Sequence, residues 1–349
     1  MNKLRILLLP FSLLYAAVVG IRNWLFDVGI RPTTRASVPV IAVGNISAGG
    51  TGKTPLVEMI ARHFCDREKK VAVISRGYKR STTGYVVVSN GRQRCAEAAE
   101  SGDEPSQLAE KLNGVVVVVD ENRVRAANRV VSEFGVQLIV LDDAFQHRSL
   151  HRDLNICVVP ADDLQKKMWL LPGGDGREPF SSLRRADLIV VSRCQDAASF
   201  HRAQATLRKW TKAPVAGMRR RSVIFRNASN GTPMELIKSA GKKAVVFSGI
   251  GNPASFEEAI RSLSIEVCQL FQFPDHHLFS TAEMESIAAA RKRTGADLIL
   301  TTEKDVARMR GLNESAMEFF VKQPVFFLEI EPDIAWQPEV FQSMLSVYN

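Results

Sequence analysis

The sequence predicts an α/β fold: a P-loop NTPase-type, doubly wound, mostly parallel sheet, a second and smaller α/β domain, and an apolar N-terminal membrane-association helix. Three observations carry this. First, Val38–Thr54 reads VPVIAVGNISAGGTGKT, an apolar β-branched run followed by a glycine-bearing loop and Lys53-Thr54. The next residues, LVEMIARHF, repeat Leu56, Ile60 and Phe64 at helical spacing. Second, near-continuous apolar runs alternate with helical stretches, the pattern of parallel strands covered on both faces. Third, the pattern changes near Lys212-Ala213-Pro214 and then resumes on a smaller scale. The implied organisation is an apolar segment over 1–30, a P-loop core over 31–212 and a smaller α/β domain over 213–349.

The elements follow in order. Residues 4–30 include ILLLPFSLLYAAVVGI and then Arg22, Trp24 and Phe26. Lys3 and Arg5 ahead of the apolar run permit a cleaved signal peptide. A phosphate-binding loop follows closely, however, and ATP chemistry belongs in the cytoplasm. A spanning anchor is marginal in length and has Pro10 inside it, and a buried first helix of the core is the plain alternative. An interfacial anchor, with Arg22, Trp24, Arg31 and Arg35 at headgroup level, fits best.

Strands are expected at Val71–Arg76, around Val86 as a short hairpin strand, and at Val115–Asp120, Gln137–Asp143, Leu154–Val159 and Asp187–Arg193. Helices are expected at Ser101–Leu112, which opens with Ser and acidic residues, and at Glu121–Phe134. The smaller α/β unit reads as AVVFSGIGNP (Ala244–Pro253), helix Ala254–Leu263, strand-like VCQLFQF, helix Thr281–Thr294, DLILTTEKD (Asp297–Asp305) and VFFLEI (Val325–Ile330). No internal repeat or low-complexity tract interrupts the chain.

The loop residues explain themselves chemically. Ser47, Ala48, Gly49, Gly50, Thr51, Gly52, Lys53 and Thr54 form the nucleotide-binding candidate. Glycines let backbone N–H groups turn inward onto phosphate oxygens. Lys53 can reach the β- and γ-phosphates, and the Thr54 hydroxyl can ligate Mg²⁺. The helix N-terminus adds partial positive charge. Ser47 stands where the strict pattern wants glycine. A glycine-rich turn that merely precedes Lys-Thr is the alternative.

Further polar groups lie just past strand ends, where a doubly wound sheet places its ligand. Asp142 and Asp143 follow LIVL. One carboxylate there can serve the metal and the other the nucleophile, or one can cap the next turn. Asp103 and Glu104 suit either a site or a helix cap. Arg123 can be a solvated helix residue. Arg177 and Glu178 sit in LPGGDGREPF, a candidate clamp for a transferring phosphoryl group or a surface loop. Asp275-His276-His277 follows an aromatic strand. Adjacent histidines diverge, so a shared metal is disfavoured against a His that crosses to a carboxylate. His147 reads as structural.

Composition narrows the class. In 349 residues, 46% are hydrophobic and 24% charged, so the chain is globular. The formal net charge of +9 favours anionic partners. No helix-turn-helix, zinc-finger or RNA-binding signature accompanies it, which disfavours nucleic acid. The arginine clusters Arg219–Arg221 and Arg291–Arg293 (with Lys292) read as solvated faces. Five scattered cysteines without a C-x-x-C pair argue against zinc or disulfides and suit a reducing compartment.

Taken in order, the apolar N-terminus, GNISAGGTGKT, SRGY, SGDEP, ENR, LDDAFQH, GREP, FPDHH and TTEKD resemble the tetraacyldisaccharide 4′-kinase family of lipid A biosynthesis. The ordered set covers nearly the whole chain. The resemblance implies ATP- and Mg²⁺-dependent phosphorylation of the 4′-hydroxyl of an acylated glucosamine disaccharide 1-phosphate lipid. It places the protein at the cytoplasmic face of the bacterial inner membrane, with the membrane surface as partner and no obligate protein partner. It implies Ser47–Thr54 as the ATP site, Thr54 and Asp142 at the metal, and Asp143 with His276 as a catalytic dyad. Asp103, Arg123, Arg177 and Glu178 fall on the remaining polar active-site positions. Ala144 departs from the glycine that commonly follows the Asp pair. The rival readings are a P-loop enzyme with a small soluble substrate, and a nucleotide-dependent, membrane-associated ATPase or switch.

Overall fold

A computed structural model describes residues 8–166, 168–275, 277–310 and 314–349. The chain forms two compact units, Met1–Arg219 with Pro332–Asn349, and Arg220–Glu331. The first begins with α1 (Leu9–Asp27), followed by β1 (Val40–Asn45), α2 (Lys53–Cys65), β2 (Val71–Ser75) and β3 (Val86–Asn90). Then come α3 (Ala98–Ser101), α4 (Asp103–Lys111), β4 (Val116–Val119), α5 (Arg123–Phe134), β5 (Leu138–Leu141), β6 (Leu154–Pro160), β7 (Leu188–Ser192) and α6 (Ala197–Leu207). The long strand β8 (Val215–Asn227) leads into the second unit.

The sheet of the first unit runs β8-β7-β6-β1-β5-β2-β4-β3. Its pairs are parallel except β3, which lies antiparallel on β4 at the edge. Every residue of β1 and β2 is buried, because helices cover both faces. Alternate residues serve alternate sides. Ile41, Val43, Val71 and Val73 pack with Leu56, Ile60 and Phe64 of α2. Val40, Ala42, Ala72 and Ile74 pack with Ala126, Ala127 and Val130 of α5. β1 lies between β5 and β6, so the carboxyl ends of β1, β5 and β7 converge on the P-loop side.

Helix ends follow local chemistry. The Asn122 side chain accepts from Val124 N (3.1 Å) and Arg125 N (3.0 Å), and α5 stops at Gly135 with φ +60°. The helix expected at Ser101–Leu112 is found as α4, starting two residues later, because Gly102, at φ +92° and ψ +156°, separates it from the short α3 that holds Ser101.

The second unit continues with β9 (Pro233–Met234), β10 (Lys243–Ser248), α7 (Pro253–Ser262), β11 (Glu266–Gln272), α8 (Thr281–Thr294), β12 (Leu298–Thr302), α9 (Glu303–Arg310) and α10 (Glu314–Lys322). Its parallel strands are ordered β11-β10-β12-β13. Val245, Phe247 and Ile299 pack under α8 and α10, and Val246 and Leu300 pack on Phe256 and Ile260 of α7. Strand β13 (Val325–Trp336) returns the chain to the first unit, where α11 (Pro338–Ser346) ends it. Phe341 and Leu345 of α11 join the α2 core. The second unit is therefore narrower than the expected 213–349, because apolar burial against α2 recovers the last residues for the first unit.

Helix α1 is the one helix, among the described residues, long and apolar enough to cross a membrane by length and composition. Only Ser12, Val19 and Asn23 are buried. Phe11, Leu13, Leu14, Val18, Ile21 and Trp24 are exposed. The face turned to the protein is thus largely polar and the outer face apolar. Arg148 Nη2 pairs with Asp27 at 2.7 Å, and its Nη1 donates to Asn23 O at 2.8 Å.

Candidate active site

The P-loop links β1 to α2. Gly52 sits at φ +94° as the cap of α2, and a Cβ there would meet Met218 Cε at 3.0 Å. Lys53 opens the helix and is 9% exposed. The loop is held from several sides. Asn45 Nδ2 donates to Thr51 Oγ1 (2.9 Å), and Ser192 Oγ donates to Thr51 O (2.6 Å). Ser47 is buried and donates to Asp163 Oδ2 (2.7 Å), so serine at this position has a use that glycine would lack. Arg193, just past β7 and at φ +57°, donates to Gly50 O (2.6 Å) and to Asp162 (3.2 Å). Sequence reasoning missed Arg193, Ser192 and Asp163. For Arg193 the signal was present: a cation at the carboxyl end of an apolar parallel strand.

Asp142 and Asp143 leave β5 in different directions. Asp143 adopts φ +50°, a left-handed conformation that Asp tolerates better than most residues. Its carboxylate accepts from Arg177 Nη1 at 2.9 and 2.8 Å and lies 3.6 Å from Lys53 Nζ. Burial raises the Asp143 pKa, but Lys53 and Arg177 outweigh it and hold the carboxyl below its ordinary range. Ala144 keeps an ordinary backbone and is fully buried, so the glycine common at this position is not required here.

Asp142 is buried at 1% exposure. Its Oδ2 accepts from Ser75 Oγ at 3.1 Å, and its Oδ1 has no hydrogen-bond partner among the described residues. Burial, helped by the charges of Glu104 and Asp143, pushes its pKa up to about 7. A buried carboxylate oxygen without a donor, at the carboxyl end of the strand paired with β1, fits a divalent cation. No group of three or more His, Cys, Asp and Glu that could hold a metal by itself occurs among the described residues.

Arg123 is not a solvated helix residue. It is 1% exposed, donates through Nη1 to Asp120 O at 2.6 Å, and keeps Nε and Nη2 without partners among the described residues. Burial lowers its pKa to about 10 against the pull of Asp142 and Asp143. Asp103 and Glu104 are exposed first-turn acids of α4. Glu178 departs from expectation. It is fully buried, and its Oε2 accepts from Asn23 Nδ2 (2.9 Å) and Arg185 Nη2 (2.7 Å). The Asn23 hydrogen bond ties the loop to α1, and the Arg185–Glu178 ion pair beside it is turned away from solvent.

The Arg177 loop is built onto the P-loop. Arg177 N donates to Ile46 O (2.7 Å) and Ala48 N to Asp175 O (2.7 Å). His147 is largely buried, and burial plus Arg123, Arg76 and Arg22 lower its pKa to about 4, so it is neutral at pH 7. In the second unit, Asp305 accepts from Thr302 Oγ1 (2.6 Å) and Gly249 N, and Arg308 donates to Gly249 O and His277 O. His277 stacks on Phe273 and bonds Glu283 at 3.0 Å, which makes it structural. His276, expected to pair with Asp143, lies outside the described residues.

A phosphate-binding loop, a buried carboxylate with one oxygen unpartnered among the described residues, and a second carboxylate held between lysine and arginine define a P-loop phosphotransferase of the doubly wound class. Comparison with known proteins agrees and narrows it. Residues 4–348 match the family described as Tetraacyldisaccharide-1-P 4′-kinase, and the chain belongs to that family. The tetraacyldisaccharide 4′-kinase of Pelodictyon phaeoclathratiforme is 35% identical over 99% of this chain and 98% of its own length. That of Aquifex aeolicus is 36% identical over 91% and 95%. The crystal structure of LpxK from Aquifex aeolicus in complex with ATP superposes with a TM-score of 0.80 at 31% identity, covering 99% of this chain and all of that one.

Proposed function

We propose that this chain transfers the γ-phosphoryl group of ATP to the 4′-hydroxyl of a tetraacylated glucosamine disaccharide 1-phosphate at a membrane surface. The observation that carries the reading is the Lys53–Asp143–Arg177 constellation at the P-loop. Lys53 and the loop amides of Ser47–Thr54 hold the phosphates. Asp143 has room for a proton from the attacking hydroxyl once phosphate oxygens draw Lys53 and Arg177 away from it. Arg177 then neutralises charge on the transferring group. Thr54 and Asp142 would hold Mg²⁺, which supplies charge neutralisation across the phosphates. Arg123, buried beside both aspartates, keeps their combined charge tolerable, and Asp103 stands at the rim on α4.

The lipid substrate accounts for α1. Its exposed Phe11, Leu14, Val18 and Ile21 suit the acyl boundary of a bilayer, while its polar face docks on the protein. That arrangement favours a helix lying on the membrane over one crossing it. The need for ATP supports a site on the cytoplasmic face of the inner membrane.

The test is transfer from γ-labelled ATP to tetraacyldisaccharide 1-phosphate in mixed micelles, with Mg²⁺ or EDTA. Mg²⁺-dependent labelling of the lipid is the expected result. Release of free phosphate without labelled lipid would overturn the reading in favour of an ATPase switch.

A further inference from the structure

The polar face of α1 reaches one particular loop. Ser12 Oγ accepts from Gly173 N at 2.9 Å. Tyr15 OH donates to Arg177 O at 3.2 Å, and Asn23 Nδ2 donates to Glu178 Oε2 at 2.9 Å. Ser12, Tyr15 and Asn23 fall on one stripe of the helix, and Ser12 and Asn23 are only 3% and 8% exposed. A helix that served solely as an anchor would gain nothing by burying amide and hydroxyl groups. Each of these side chains makes a hydrogen bond to a single segment, Gly173–Glu178, and the opposite face is apolar and open.

That segment is supported from three sides. Its backbone bonds the P-loop, through Arg177 N to Ile46 O and Ala48 N to Asp175 O. It also bonds Trp169–Leu171, through Gly176 N to Trp169 O, Gly174 N to Leu170 O and Leu171 N to Gly176 O, and α1 and Arg185 meet it through the side-chain contacts described above. Its middle is glycine-rich, Gly173, Gly174 and Gly176, so its own conformational preferences are weak. Arg177 carries the guanidinium that bonds both oxygens of Asp143, while the carbonyl of the same residue is held by Tyr15. We infer that α1 is a positioning element for the reaction: Ser12, Tyr15 and Asn23 hold the Gly173–Glu178 loop so that Arg177 faces Asp143. The inference rests on the proposed role of Arg177 in phosphoryl transfer. It makes the helix that meets the lipid also the helix that orders the clamp.

The experiment uses the full chain with Tyr15→Phe and, separately, Asn23→Leu, each measured in two ways. Amide hydrogen exchange reports the loop directly. The expected result is faster exchange at Gly173–Glu178 in both variants, with α2 and β1 unchanged. Steady-state transfer to lipid in micelles reports its consequence, and kcat should fall by about tenfold with KM for ATP unchanged. In an Arg177→Ala background the Asn23→Leu change should cost little more. Unchanged exchange across the loop overturns the inference. So does a raised lipid KM with kcat intact, or full additivity with Arg177→Ala. If the wild-type chain labels no lipid while both variants still loosen the loop, the proposed substrate fails and the positioning by α1 stands.

Discussion

Asp143 sits where the chemistry and the backbone make opposite demands. Its φ of +50° is disfavoured for a side chain by about 1 kcal/mol, yet it sets the carboxylate between Lys53 and Arg177. Asp143→Ala should lower turnover by roughly 10²- to 10⁴-fold while ATP still binds, checked by transfer assay and by titration with nucleotide. Unchanged turnover would remove Asp143 from the reaction. The same scale shows where local sequence misleads. Asp142 and Asp143 are adjacent and identical, yet one is buried with its pKa raised and the other paired with its pKa lowered. Arg177 and Glu178 are also adjacent, and one faces Asp143 while the other is sealed against Asn23. Which side each takes depends on distant partners that no local pattern contains.

Among the elements, β1 tolerates little change at its glycine. A Cβ on Gly44 would lie 2.3 Å from Phe145 N, a backbone atom that cannot swing aside. Gly44→Ala should therefore destabilise the first unit by about 3 kcal/mol or more, read as a lower denaturant midpoint. The cap of α5 is a milder case. Asn122→Ala removes the acceptor for two backbone N–H groups, and a loss of about 1 kcal/mol is expected by the same measurement. These elements were legible beforehand. Their apolar runs, capping residues and helical spacing are local properties, and α8 is found at the expected Thr281–Thr294. Strand β8 and helix α11 were not anticipated. Val215–Asn227 has charged residues in its middle, and α11 is short, so neither has a periodic signature strong enough to read.

For the whole molecule, the proposed reading makes α1 the element that sets where the enzyme works. Replacing Leu14 and Val18 by serine removes apolar surface that the protein leaves uncovered. The doubly substituted chain should shift from bilayer-bound to free in vesicle sedimentation, by a factor on the order of ten or more. Thermal stability should be nearly unaltered, because those side chains pack on little. Retention on vesicles would mean that other surfaces hold the protein to lipid.

From its sequence alone, this protein's class was determined. An apolar strand, a glycine loop, Lys-Thr and a helix must be contiguous to bind phosphate, so a P-loop is written in consecutive residues. Alternating β-branched runs likewise declare a parallel sheet. The tertiary structure decided what those residues meet: Ser47 with Asp163, Arg193 with Gly50, Glu178 with Asn23, and α11 with α2. It also decided that α1 turns its polar side inward. The physical reason is the range of the interactions. Backbone preference and hydrophobic period act over a few residues, whereas hydrogen bonds and burial are settled between groups that only the fold brings within 3 Å, more than a hundred residues apart in the chain.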